Sequence, residues 1–289
     1  MEVTAQMVKE LRTRTGAGVM DCKEALKENE GDFEEAVRYL REKGLSSAAK
    51  KAGRTASEGQ VYASLGEDGR MGAIVEVNCE TDFVARTEDF QALLETVASH
   101  VKDNGGENLA EALKEVTTES IAKLGENIVV ARGERLTLGN GDSGKVVSYI
   151  HPGGRIGVLL EVKCETPGNA GDAAFIETAR DLAMHIAASS PQFLSEDQVP
   201  EVVLQSEREI LLAQQKDSGK PENILEKIVE GRIKKYKKEI CLLDQPFVKD
   251  PDKTVQAYLK DRSAESGEDI RVSSWARFQL GELSASDDG

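Results

Sequence analysis

The 289-residue chain is poor in positive charge, in aromatic residues and in histidine. Its 37 lysines and arginines are outnumbered by 52 aspartates and glutamates, so the formal net charge is −15. Broad contact with a phosphate backbone needs fields of lysine and arginine. This balance therefore argues against direct nucleic-acid binding and leaves protein partners open. With one tryptophan, five tyrosines and seven phenylalanines, the hydrophobic cores must be largely aliphatic.

Cysteine pairs, a targeting signal and a long apolar run are also lacking. No CxxC pair exists, which argues against zinc or redox chemistry and favours reduced thiols in a reducing cytosol. The first residues show no charged-then-apolar signal, and no run approaches the length of a membrane span. We therefore expect a cytoplasmic protein with no membrane partner. The widely spaced cysteines are Cys22, Cys79, Cys164 and Cys241.

The chain contains an internal repeat. Residues 59–81 read GQVYASLGEDGRMGAIVEVNCET, and residues 144–166, 85 positions later, read GKVVSYIHPGGRIGVLLEVKCET. Ten of these 23 positions are identical and no gap is needed. Such a repeat predicts two similar supersecondary units. In each unit two apolar runs flank a turn, which predicts a β-hairpin, and a helix follows at 88–101 and at 172–188.

The two copies differ in the loop that follows the hairpin. The first copy continues with DFV at 82–84, where the second has PGN at 167–169, and then the copies rejoin. Because the scaffolds match and one loop differs, this loop is a candidate for function. Drift in a surface loop is the alternative. For Phe83 the structural interpretation is a hydrophobic staple for the helix that begins near residue 88.

The rest of the chain divides around this repeat. The first 54 residues carry three apolar stripes at helical spacing, which predicts a small helical docking module whose third helix ends at Gly44. A Gly-Glu motif at Gly125 in the first unit recurs at Gly267 in the second, an offset of 142 positions instead of the 85 that separates the rest of the repeat. The second unit therefore carries an insertion, and its apolar spacing predicts an antiparallel helical hairpin. We therefore predict an α+β protein with a helical module at 1–54, a core subdomain at 55–140, a second subdomain at 141–282 with the hairpin at about 195–240, and an acidic tail at 283–289.

One glycine-rich stretch imitates a phosphate-binding loop. GNGDSGK at 139–145 matches GxGxxG and nearly matches a P-loop, but Val146 stands where serine or threonine must reach Mg²⁺. A strand-like run follows, whereas phosphate binding needs a helix N-terminus. We predict a linker between the repeats, and a nucleotide-binding enzyme that uses this loop is the least favoured alternative.

The three histidines do not indicate catalysis. His100 and His185 occupy matching repeat positions on predicted helices, which favours structural roles. His151 lies in the second hairpin turn, where the first copy has Gly66. Turn tips are exposed, so an incidental surface residue and a partner contact are both open. No nucleophile, general base or metal-ligand constellation is recognisable, so we predict no chemical enzyme and no cofactor.

An ordered set of motifs resembles a known family. The motifs are TGAGVMDCK at 15–23, GD at 31–32, KKA at 50–52, EVNCETDFV at 76–84, GENI at 125–128, RIGV at 155–158 and QPFV at 245–248. Together they resemble bacterial translation elongation factor Ts, from residue 1 to about 282. The resemblance implies a ubiquitin-associated-like helical domain, a core of two related α+β subdomains and a helical hairpin. It also implies an exchange factor that promotes GDP release from elongation factor Tu.

The resemblance further implies a set of partner-binding residues. Phe83 would wedge between two helices of the partner's nucleotide domain and disturb its Mg²⁺ and phosphate site, and both hairpins would lie on one side of the core. The chain ends soon after Leu280, so a further C-terminal module that touches the partner in many relatives is expected to be missing. The implied partner-binding residues are Lys23, Thr81, Asp82, Phe83, Val84, Leu124, Gly125, His151 and Val248.

Two further interpretations stay open at this point. A homodimer through the core or through the helical hairpin is compatible with the pattern. A helical adaptor that binds a protein through residues 1–54, with no effect on nucleotide, is the main alternative to an exchange factor.

Overall fold

The computed structural model describes residues 3–166, 169–215 and 221–283, and its helices and antiparallel sheets confirm the α+β class. Of the predicted acidic tail, residues 284–289 lie outside the described part. Within the described ranges, no helix is both long and apolar enough to cross a membrane. In chain order the helices and strands are α1 Ala5–Thr15, α2 Val19–Glu28, α3 Phe33–Lys51, β1 Glu58–Leu65, β2 Met71–Cys79, α4 Asp82–Ala85, α5 Glu88–Asn104, α6 Leu109–Ala112, α7 Lys114–Leu124, β3 Ile128–Thr137, β4 Ser143–Ile150, β5 Ile156–Cys164, α8 Ala173–Ser189, α9 Glu201–Gln215, α10 Glu222–Ile240, β6 Pro246–Phe247, β7 Asp250–Thr254, α11 Val255–Ser266 and β8 Arg271–Gln279.

The first three helices pack around a small aliphatic core that includes Leu11 and Leu26. The Asp32 side chain caps α3 by accepting hydrogen bonds from Glu34 N and Glu35 N. The predicted end of α3 at Gly44 is wrong, because the helix continues to Lys51. Gly44 is buried inside α3, and a side chain there would meet Ala122 of α7. The glycine therefore allows α3 to lie close against α7.

Each repeat forms a three-stranded antiparallel sheet with a helix against it. The strand orders are β1-β2-β3 and β4-β5-β8, and β2 and β5 are the central strands. In the first unit α5 buries Phe90, Leu94 and Val97 against the sheet. In the second unit α8 does the same with Phe175 and Leu182. The hairpin-then-helix pattern predicted from the repeat is confirmed.

The second unit carries an inserted pair of helices between α8 and α11. Buried aliphatic residues on α9 and α10 pack against each other, among them Leu204, Leu211, Val229 and Ile233. These residues recur at helical spacing on both helices, so each helix turns one apolar stripe towards the other.

The two sheets face each other in a nearly symmetric arrangement. Val61 N donates to Gly154 O at 2.7 Å, and its repeat counterpart Val146 N donates to Gly69 O at 2.8 Å. Each hairpin turn is thus hydrogen-bonded to the first half of the other unit's first strand, which is β1 or β4. Between the sheets lies a shared apolar core that includes Ile74. The sequence repeat therefore corresponds to an approximate two-fold relation between the units.

The two hairpin turns lie at opposite ends of this sheet pair, so the expectation that both face one side is wrong. The second turn is bonded to Val61, near the start of β1. The first turn begins at Gly66, after β1 has run five residues further, which is about 17 Å of strand. Only the second turn, which carries His151, lies near the end of the core where β2 ends.

Two repeat-matched glycines allow the sheets to approach. A Cβ atom placed on Gly157 would lie 2.6 Å from Cγ1 of Val61 and 3.2 Å from Cδ1 of Ile74. A Cβ atom placed on Gly72 would lie 2.9 Å from Cδ1 of Leu159. These distances are shorter than van der Waals contact, so a larger residue would push the sheets apart.

We expect Gly157→Ala to destabilise the protein by about 1–3 kcal/mol, because the added methyl group overpacks the core between the sheets. Gly231→Ala is the control, since Gly231 is a helical residue of α10 with nothing within 4 Å of an added Cβ. This change should be neutral or stabilising by up to about 1 kcal/mol. Denaturant unfolding measures both. Equal stability of the two variants would contradict the packing account.

Candidate partner-binding site

A short, capped turn follows the central strand of the first sheet. Thr81 has extended backbone angles, and its Oγ1 accepts a hydrogen bond from Val84 N at 3.3 Å, which begins the single turn α4. Thr87 then caps α5 in the same way, by accepting from Phe90 N at 3.3 Å. Two threonine caps in seven residues define the backbone of the loop predicted to carry function.

This turn presents Phe83 to solvent. The Phe83 side chain is 80% exposed, whereas Ala85 is buried and Val84 packs against the hydrophobic core of the first unit. The interpretation of Phe83 as a hydrophobic staple is therefore wrong, and Thr87 supplies the start of α5 instead. Single exposed apolar residues are common on proteins. What distinguishes Phe83 is the set of cap hydrogen bonds that fixes the backbone on both sides of it.

A reciprocal pair of carboxylates anchors the turn. Glu126 accepts hydrogen bonds from Glu80 N and Thr81 N, each at 3.0 Å, and from Thr81 Oγ1 at 2.6 Å. In return Glu80 accepts from Asn127 N at 2.6 Å and lies 3.4 Å from Arg54. The Asn127 N–H and the Arg54 charge hold the pKa of the Glu80 carboxyl below its usual value. The Glu80 carboxylate therefore stays ionised at neutral pH, which strengthens the bond it accepts from Asn127 N.

The same anchor occurs in the second unit. Glu268 accepts from Glu165 N at 3.1 Å and from Thr166 N at 2.9 Å. Our prediction from sequence did not include Glu126 among the site residues, although the repeated Gly-Glu motif at 125–126 and 267–268 was a signal for it. The anchor belongs to the shared scaffold, and the loop it supports is what differs between the units.

The two repeat-matched cysteines are part of this scaffold. Cys79 Sγ donates to Thr81 O at 3.1 Å, and Cys164 Sγ donates to Thr166 O at 3.4 Å. Burial raises the pKa of Cys79 to about 11, and the nearby Glu126 charge adds to the effect. The thiol therefore stays protonated and unreactive at neutral pH.

The second hairpin turn lies beside the same loop. Arg155 is 2.7 Å from Glu58 at the start of β1, and the Gln60 side chain lies against Gly154. Gln91 joins the two parts: its Nε2 donates to Gln60 Oε1 at 3.0 Å and to Ala85 O at 2.9 Å. A continuous set of contacts thus connects the turn of His151 to the loop of Phe83.

Three parts of the predicted site meet at this end of the core. Gly125 ends α7 with a φ of 81°, a left-handed conformation that glycine adopts without strain. The preceding residue, Leu124, is half-buried and packs against the hydrophobic core of the first unit. The Glu126 anchor ties this corner to the loop of Phe83. His151 is exposed on its turn, and its Nδ1 lies 3.0 Å from the Tyr149 hydroxyl, which orients the ring.

Lys23 and Val248 lie on separate elements. Lys23 is exposed on α2, in the helical module that reaches the core through α3 and α7. Val248 is 42% exposed in the turn between β6 and β7. No described contact joins either residue to the loop of Phe83, so the structure brings together the central part of the predicted site and leaves these two at its periphery.

The glycine-rich stretch at 139–145 is a linker. It leads directly into β4, which begins at Ser143. The Arg70 guanidinium donates to Gly139 O at 2.9 Å and to Asp142 O at 3.1 Å, so it fills the inside of the loop. A phosphate-binding loop needs N–H groups that point inward and a helix that follows the loop. In this loop carbonyl groups point inward, towards the Arg70 cation, and a strand follows. The nucleotide-binding interpretation is wrong.

Comparison with known proteins decides the family. A family model described as Elongation factor TS matches residues 80–282. A protein named Elongation factor Ts from Clostridium perfringens (strain SM101 / Type A) is 51% identical over 290 residues, which cover 97% of this chain and 93% of that protein. A protein of the same name from Clostridium novyi (strain NT) is 47% identical over 292 residues, with the same coverage of both chains.

The chain belongs to the elongation factor Ts family. The resemblance noted in the sequence motifs is thereby confirmed. Family membership supports a role in protein biosynthesis, as a translation elongation factor of the nucleotide-exchange type.

We expect Glu126→Ala to loosen the loop, because the N–H groups of Glu80 and Thr81 lose their acceptor. A lost charge-assisted bond of this kind corresponds to about 1–3 kcal/mol, or about 10- to 100-fold faster amide hydrogen exchange at those two residues. Glu268→Ala is the matched control. It should speed exchange at Glu165 and Thr166 and leave the first loop unchanged. Unchanged protection at Glu80 and Thr81 in Glu126→Ala would refute the anchor.

Proposed function

We propose that the chain binds elongation factor Tu and promotes GDP release by inserting the Asp82–Phe83 loop into the partner's nucleotide domain. There the loop would disturb the Mg²⁺ and phosphate site. The observation that carries this proposal is an 80% exposed phenylalanine on a turn whose backbone is fixed at both ends. Family membership identifies the partner class, and the geometry favours Phe83 as the inserting residue.

An exchange factor works by differential binding. It must bind the nucleotide-free partner more tightly than the nucleotide-bound one, and by reciprocity bound nucleotide weakens the factor by the same ratio. A contact made equally in both states shifts nothing. Phe83 meets this requirement if its pocket opens only when the phosphate site is disturbed. Burying such a side chain is worth about 1.5–3 kcal/mol, which corresponds to about a tenfold to hundredfold bias.

The rigid anchor increases the useful part of this energy. Ordering a flexible loop on binding would consume about 0.5–1.5 kcal/mol for each immobilised side chain. The Glu126 bonds and the Thr81 cap order the backbone before the partner arrives. More of the free energy of burying Phe83 is then available to distort the nucleotide site.

Asp82 is available for a polar contact beside the phenylalanine. Its carboxylate lies 2.9 Å from Arg86, one helical turn away, and both side chains are substantially exposed. An exposed pair of this type contributes little to stability, so exchanging Arg86 for a partner group costs little. The carboxylate suits backbone N–H groups or a helix N-terminus of the partner.

The remaining residues supply docking area around this loop. We assign Leu124, Gly125 and His151 to the same contact, since they lie at the same end of the core. Thr81 and Val84 support the loop. Lys23, in a ubiquitin-associated-like module at 1–54, and Val248, in the second core subdomain, would extend the interface on either side.

Removing the phenyl ring should separate exchange from folding. We expect Phe83→Ala to slow GDP release from elongation factor Tu by about ten- to a hundredfold, because the bias from its burial is lost. Its stability should change by less than about 0.5 kcal/mol, since the ring is exposed. Val202→Ala is the control: Val202 is 74% exposed on α9, and its loss should leave release unchanged. Release of fluorescent GDP and thermal unfolding measure both quantities.

Each outcome of this experiment decides a part of the proposal. Full acceleration by Phe83→Ala would reject insertion of this residue and keep the exchange role. No acceleration by the natural chain, with a cognate and folded partner, would reject the exchange role itself. Binding to the partner without acceleration would then favour the helical adaptor.

A further inference from the structure

The turn that carries Val248 has little regular structure to hold it. It connects β6 and β7, and β6 has two residues. Gln245 and Phe247 on either side of Pro246 are buried, whereas Val248 is 42% exposed. Phe247 stacks on Tyr258 with ring centroids 4.1 Å apart, which fixes the residue before Val248. The backbone of Val248 itself needs a further support.

A fully buried histidine supplies that support. The His185 side chain on α8 is 0% exposed. Val248 N donates to His185 Nδ1 at 3.2 Å, and His185 Nε2 lies 2.9 Å from Gln245 Oε1. Both ring nitrogens are therefore engaged, Nδ1 by the backbone of the turn and Nε2 by the side chain of Gln245, the residue just before β6.

The hydrogen-bond network fixes a single tautomer of this ring. Gln245 Nε2 donates to Glu239 O at 2.6 Å and to Ser189 O at 3.3 Å, so its amide oxygen is the group that accepts. His185 Nε2 must then carry the proton, and Nδ1 presents the lone pair that Val248 N–H requires. Burial lowers the pKa of His185, which keeps the ring neutral and this arrangement intact at neutral pH.

The repeat provides an internal comparison. His100 occupies the matching position on α5, where no hairpin is inserted. It is only half-buried, and its described hydrogen bonds go to Asn104 on the same helix, at 3.4 Å from Nδ1 and 3.2 Å from the carbonyl oxygen. The helix–sheet packing of a repeat unit therefore does not itself require the buried network seen around His185.

The network also ties the turn to the inserted helices. Ser189 is the last residue of α8, and Glu239 lies in the last turn of α10. Gln245 thus bonds the two ends of the inserted segment. On the other side of Val248, Lys249 Nζ lies 2.6 Å from Asp181 Oδ1, one helical turn before His185. Val248 is held on both flanks by residues of α8.

We propose that His185 is a positioning residue for the partner contact at Val248, and that Gln245 sets the tautomer which makes this possible. The inference rests on the proposed function, because it gives a task to a residue assigned there to the interface. The side chain presented is aliphatic and its backbone N–H is already bonded. The matching surface on elongation factor Tu is therefore an apolar patch rather than a hydrogen-bonding group.

The test is a double-mutant cycle in the GDP-release assay. His185→Phe keeps a buried ring and removes the acceptor for Val248 N–H. It should raise the concentration of chain needed for half-maximal acceleration by about tenfold, as for the loss of one buried hydrogen bond. The maximal rate should stay unchanged, since the loop of Phe83 is intact. In a Val248→Ala background the same change should have no further effect.

Two variants make the cycle specific. His100→Phe, the repeat-matched control, should leave half-maximal acceleration unchanged. His185→Asn places an amide oxygen near the position of Nδ1, so it should recover most of the loss seen with His185→Phe. If His185→Phe does not fold, His185→Asn replaces it in the double-mutant cycle. A tenfold loss in His185→Asn that persists in the Val248→Ala background would overturn the proposal. An equal loss from His185→Phe in both backgrounds would overturn it as well.

A structural readout separates this proposal from the exchange role. Hydrogen exchange at the Val248 amide should become at least about tenfold faster in His185→Phe and stay unchanged in His100→Phe. If the natural chain failed to accelerate GDP release from elongation factor Tu while this difference in hydrogen exchange held, the proposed function would fail and the positioning of the turn would stand. Unchanged protection of Val248 in a folded His185→Phe chain would overturn the positioning.

Discussion

The face-to-face packing of the two sheets is the constraint on which the geometry of the site depends. The backbones of β2 and β5 approach the opposite sheet at Gly72 and Gly157, where a methyl group would already be too close. The swapped bonds of Val61 and Val146 lock this approach at both ends. As a result, the turn of the second unit lies beside the first unit's loop, and residues about 70 positions apart in the chain form one surface.

A nearly symmetric scaffold supports an asymmetric surface. Both units end their central strand in the same Cys-Glu-Thr sequence and hold the following backbone with an equivalent glutamate, Glu126 or Glu268. The contacts that stabilise the backbone of this region are therefore the ones that both copies share. The part free to vary is the side chain that the anchored turn presents, and in the first copy this is Phe83. An exposed aromatic ring costs the isolated protein little and becomes valuable only when a partner buries it.

Local patterns in the sequence predicted the elements better than their arrangement. The alternation and helical spacing of apolar residues predicted the hairpins and the helices at 88–101 and 172–188, which the structure places at Glu88–Asn104 and Ala173–Ser189. Gly44 was misjudged as a helix end, because a glycine that allows close helix packing has the same local signal as one that stops a helix. The placement of the turns at opposite ends depends on how the two units pack, which no local pattern encodes.

The supports of the site were the least predictable part. The family resemblance selected residues that face a partner, and it did not select Glu126, which holds them from behind. His185 was correctly expected to be structural, but its partner Gln245 lies 60 positions away across an inserted hairpin. Such contacts between distant residues become visible only in the folded chain.

The central claim is that Phe83 couples binding of the chain to loss of nucleotide from elongation factor Tu. It is tested most directly by the equilibrium affinity of the two proteins over a series of GDP concentrations, for the natural chain and for Phe83→Ala. The account predicts that GDP weakens the natural complex strongly, and that this weakening is about ten- to a hundredfold smaller for the variant. The same GDP dependence for both chains would contradict it.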